Sequence, residues 1–81
     1  MIHLTFTDEE GYSEEVDIDV ACNGVPEEEI ARFINETYEV ENLSKTVNKI
    51  LYGMVYCQRK VVCMFGRGED KYPVTVTVEG N

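Results

Sequence analysis

Glu15, Asp17 and Asp19 alternate with Val16, Ile18 and Val20. In an extended strand alternate side chains share a face, so the three carboxylates stand in one row, about 6.6–6.8 Å apart. That rung spacing is comparable to the spacing of successive phosphates on a nucleic-acid strand. Glu9, Glu10 and Glu14 carry the charge round the preceding turn, with Tyr12 among them. A rigid row of carboxylates can ligate a hard cation, or it can lie in a basic groove in place of a nucleic-acid backbone. Cation binding needs converging oxygens. Asp17-Ile18-Asp19 lacks the glycine turn and downstream glutamate of a calcium loop, so no metal is expected there. Like charges on one strand face repel, which leaves folding alone a weak reason for stacking them. The competing explanation is a solvated face that keeps the protein soluble and blunts a sheet edge.

Cys22, Cys57, Cys63 and His3 supply enough side chains for a zinc site in number only. Structural zinc is usually held by tight C-x-x-C pairs, and none occurs here. A nucleophilic Cys–His pair would have to use His3, the only histidine. Nothing resembles a nucleophile elbow or an oxyanion loop, so an enzyme is not expected. Gly66-Arg67-Gly68 is too short for a phosphate-binding fingerprint and reads as a hairpin loop, so no cofactor is expected. Three cysteines are an odd number, and reduced thiols in a reducing compartment are the simplest reading.

Charge is divided along the chain more sharply than its net value of −9 suggests. Residues 1–41 hold thirteen acids and one base, Arg32, whereas residues 42–81 hold three acids and six bases. An acidic surface repels nucleic acid and membrane headgroups and attracts basic protein surfaces. Direct nucleic-acid or membrane binding is therefore not expected. Met1-Ile2-His3 opens no basic, apolar leader, and no apolar run approaches a membrane span, so a cytoplasmic location is expected.

The elements that must hold the acidic row follow from periodicity. Ile2, Leu4 and Phe6 alternate with His3, Thr5 and Thr7 in a first strand. Asp8-Glu9-Glu10-Gly11 is turn chemistry, and the Val16, Ile18, Val20 alternation completes a β-hairpin. Pro26 and the three glutamates after it open a helix expected over 26–41, with Ile30, Phe33, Ile34 and Tyr38 on its inner face. Leu43, Val47, Ile50, Leu51 and Met54 mark a second helix, capped by Asn42 or Ser44, which stops at Tyr52 or runs to about Tyr56. Val61 to Phe65 reads as a strand, and Val74, Val76 and Val78 alternate in another after Tyr72-Pro73.

Residues 1–81 are thus read as a single small α+β domain of ββααββ order, an antiparallel sheet with two helices packed on one face. A different strand order, or a further hairpin over 53–65, would also satisfy the pattern. The expected function is a non-enzymatic acidic protein-binding module. Its partner would be a basic protein surface, engaged through Glu9, Glu10, Tyr12, Glu14, Glu15, Asp17 and Asp19. By analogy of composition, it would act as phage anti-CRISPR or anti-restriction inhibitors act, as a DNA mimic in the groove of a nucleic-acid-binding protein. The alternatives are self-assembly as a homodimer through unlike-charged halves, and a small cysteine-dependent enzyme.

Overall fold

The protein is described from a computed structural model covering residues 2–19, 26–56 and 59–80. Its elements run β1 (Ile2–Thr7), β2 (Ser13–Ile18), α1 (Pro26–Thr37), α2 (Leu43–Val55), β3 (Lys60–Phe65) and β4 (Tyr72–Gly80). The expected α+β class and ββααββ order are therefore observed. The strands form one antiparallel sheet in the order β2-β1-β4-β3, with the first and last strands of the chain at its centre.

Alternation decides which side of each strand is dry. Leu4, Phe6, Ile18, Val61, Cys63, Phe65, Val74 and Val76 point to one face and are buried. Ile30 and Ile34 of α1, with Val47 and Ile50 of α2, close over them. Aromatic rings fill one end of this core. Phe6 meets Phe33 edge-on at 5.0 Å, and Tyr38 stacks on Phe65 at 4.6 Å.

One expectation needs correction, and one open alternative is decided. The first helix ends at Thr37 rather than at residue 41. After Tyr38 N–H donates to Ile34 O, the chain turns its hydrogen bonds to the β3–β4 loop. Gly66 N–H donates to Glu39 O, Val40 bridges Gly66, and Glu41 accepts from Gly68 N–H and pairs with Lys71. These long-range partners outcompete one more helical turn. The second helix runs through Gly53 to Val55, so no extra hairpin forms over 53–56. Packing of Val47 and Ile50 outweighs the roughly 1 kcal/mol that a mid-helix glycine costs. Asn42, one of the two expected caps, accepts from Lys45 N–H at 3.0 Å. Val20, Cys22 and Cys57 lie outside the described residues.

Gly66 is the tightest point of the loop. Its φ is +92°, and a Cβ there would stand 2.4 Å from the Asp70 carbonyl oxygen. Gly66→Ala is expected to cost more than about 1 kcal/mol and to lower the melting temperature by several degrees. An unchanged thermal melt would contradict this loop geometry.

Candidate functional site

The hairpin that carries the acidic residues is built around Asp8. Its carboxylate accepts from Glu10 N–H at 2.9 Å and Tyr12 N–H at 3.0 Å, while Asp8 N–H donates to Tyr12 O at 3.0 Å. An aspartate that closes a turn on its own backbone in this way fixes the turn's shape. Gly11, at φ +91°, completes it. Asp8 is thus occupied in structure, and Glu9, Glu10 and Tyr12 project from a fixed turn. Tyr12 is 73% exposed, an unusual degree for an aromatic ring.

β2 then divides its acids between two faces. Glu15 and Asp17 point to the sheet face that carries no helix. Glu14 lies opposite Phe6 and shares the helix side with Val16 and Ile18. There it stands near Tyr38, whose hydroxyl is pushed up to about 12, first by burial and then by the negative charge of Glu14. Asp19 follows the last residue of the strand, half-buried, with interactions of its own. The expected row of three carboxylates is therefore a row of two on the strand. The seven expected residues form a band around the hairpin tip and the β2 edge.

Sequence reasoning missed what lies across from that row. His3 of β1 pairs with Asp17 of β2 on one side and Glu79 of β4 on the other. Its Nδ1 is 2.7 Å from Asp17 Oδ1 and its Nε2 is 3.0 Å from Glu15 Oε1. With both nitrogens turned to carboxylates, the doubly protonated ring that donates twice is favoured. The His3 pKa is raised above its ordinary value, first by the bond to Asp17, then by that to Glu15. The outward phase of His3 was legible, but its partners depend on register. The imidazole supplies a structural reason for two like charges on one strand, and it makes the negative charge of this corner pH-dependent.

A raised folded-state pKa means that His3 contributes stability that is fully present below its unfolded value, near 6.5, and lost as pH rises through the folded value. An NMR titration of the His3 ring is expected to give a midpoint above 6.5. Glu15→Gln with Asp17→Asn should return it toward that reference. A wild-type midpoint at or below the reference would remove His3 from between the two carboxylates.

The bases lie at the other edge of the sheet. Lys45 and Lys49 of α2, Lys71 and Glu41 line a hollow of about 430 Å³ against Cys63 and Met64. Lys49 Nζ donates to the Val62 carbonyl on the β3 edge. The Cys63 thiol is raised by burial, against a smaller opposite influence of Lys49. Cys63 and His3 occupy opposite faces of the sheet with β4 between them, so they are not a nucleophilic pair. Among the described residues, no three His, Cys, Asp or Glu side chains are grouped to hold a metal ion. No helix among them is long and apolar enough to cross a membrane.

The chain matches no protein-family model, no curated protein and no solved structure. Any functional reading therefore rests on the geometry just described.

Proposed function

We propose that this protein is a non-enzymatic binding module that presents the acidic β1–β2 hairpin to a basic surface of another protein. The observation that carries the reading is the hairpin itself. Glu9, Glu10, Glu14, Glu15 and Asp17 are all exposed around one turn and one edge strand, and the turn is fixed by Asp8. Between residues 2 and 19 the only group able to carry positive charge is His3.

A fixed array of carboxylates loses little conformational freedom on binding, and its field steers a basic partner toward it. Tyr12 adds apolar area and one hydroxyl at the centre of the band, where an anchor contributes most. The partner that best fits is a nucleic-acid-binding protein in the cytoplasm. Glu15 and Asp17 lie two residues apart on the strand, near the spacing of backbone phosphates, and would occupy its groove in place of nucleic acid. The result is inhibition by competition, in the manner of anti-CRISPR or anti-restriction inhibitors encoded by phages. Affinity capture from the source cell, with mass spectrometry of the bound proteins, supplies the partner. Competition between that protein's nucleic acid and the hairpin then tests the reading. Simultaneous binding of both at undiminished affinity would refute it.

A further inference from the structure

The sheet face turned away from the helices changes character from edge to edge. At the β2 edge stand Glu15 and Asp17, and in the middle Thr5, Thr7, Thr75 and Thr77 are half-buried. At the β3 edge stand Lys60, Val62 and Met64, with Val62 49% and Met64 50% exposed. One occupant complements this gradient from both ends at once, which is the same face of a second copy. We propose that two copies dimerise through this face, about a two-fold axis running parallel to the strands between β1 and β4.

That axis lays β2 over the partner's β3 and leaves every cross-strand row at its own level. The row Glu15–Thr5–Thr77–Lys60 meets its own copy in reverse order, so Glu15 faces the partner's Lys60 and Thr5 faces the partner's Thr77. One row along, His3 faces the partner's Glu79. In the row Ser13–Thr7–Thr75–Val62, Val62 covers the partner's Ser13 beside its hairpin turn. The other in-plane axis, across the strands, would stack β2 on β2 and set Glu15 and Asp17 against their own copies. Like-charge repulsion rules against it.

Aligned sheets pack about 10 Å apart with strands crossing at roughly 30°, which the threonines accommodate. Four strands about 4.8 Å apart and roughly five residues long offer roughly 300 Å² of flat face per copy. That is well below a standard interface of about 800 Å² per partner, so the dimer is weak and concentration-dependent. This inference goes beyond the binding reading and shares Glu15 with it, so dimer and complex exclude one another.

Analytical ultracentrifugation of the whole chain from about 10 μM to 1 mM, at the roughly 0.15 M salt where screening is moderate, tests it. Wild type is expected to shift from monomer to dimer over that range. Lys60→Glu and Glu15→Lys should each weaken dimerisation by about tenfold or more, because each turns both symmetry-related unlike pairs into like pairs. The double variant Glu15→Lys/Lys60→Glu should restore it. A wild type that stays monomeric, or a double variant no better than the singles, would overturn the proposal. An independent measurement needs no substitution. On dilution, amide shifts should move along Thr5, Thr75, Thr77 and Val62 and stay fixed in α1 and α2. Shifts that move only in the helices would overturn it equally. Lys60→Glu separates the two readings, because it should break the dimer while leaving capture of a basic partner intact.

Discussion

Ile18→Ala is expected to leave the protein largely unfolded at 25 °C. Ile18 is fully buried on β2, the edge strand, opposite Ile2 and one diagonal step from Leu4, and it shares the core with Ile30 and Ile34 of α1. Removing its outer carbons loses their transfer free energy and leaves a cavity, a combination that costs about 2–5 kcal/mol. A single core in a domain this small supplies only about 3–5 kcal/mol of net stability. The change therefore consumes most of the reserve, and it acts on the strand that carries Glu14, Glu15 and Asp17. Circular dichroism and a urea titration read the result. A melting temperature within a degree or two of wild type would show that Ile18 does not face this core.

The facing of Ile18 is legible in the amino-acid sequence, because strand alternation has a period of two and leaves one choice. The same is true of Leu4, Phe6, Val74 and Val76, and with two amphipathic helices they fix the layered α+β plan. The end of α1 is not legible there. Glu39, Val40 and Glu41 continue a helical composition, and only the distant Gly66, Gly68 and Lys71 draw them away. A long-range partner leaves no local signature.

The candidate site divides in the same way. That acids crowd the hairpin is a matter of composition. That Glu14 turns to the helix side follows from its phase with Val16 and Ile18, a consequence of alternation that charge counting passes over. That His3 sits between Glu15 and Asp17 depends on the β1–β2 register, which the length of the turn sets. The β2-β1-β4-β3 order likewise brings Glu79 to His3 and Lys60 into the row of Glu15, residues far apart in the chain.

His3 also changes how the acidic face should be interrogated. Reversing Glu15 and Asp17 alone would crowd two ammonium groups around an imidazole and confuse loss of binding with loss of fold. His3→Glu together with Glu15→Lys and Asp17→Lys keeps an unlike charge between the two positions and inverts the sign of the corner. All three side chains are on the helix-free face, so the core beneath is untouched and surface changes of this kind usually move stability little. Asp19 is left unchanged because it follows the end of β2 and has interactions of its own. Wild-type binding should also weaken as salt rises from about 0.05 to 0.5 M, mainly through a slower on-rate, since screening removes steering first. Reversing Glu36, exposed on α1, should do less, because it changes a single carboxylate that is not part of the hairpin.

The most direct test is the association kinetics of the captured partner with wild type and with this charge-inverted variant, at both salt concentrations. Circular dichroism confirms that each is folded. The acidic hairpin is expected to bind with a salt-sensitive on-rate, and the folded inverted variant to lose about 100-fold or more in affinity, the scale on which close unlike pairs are replaced by like ones. A folded inverted variant that binds within twofold of wild type would contradict the proposed function and leave the acidic face as a solubility feature.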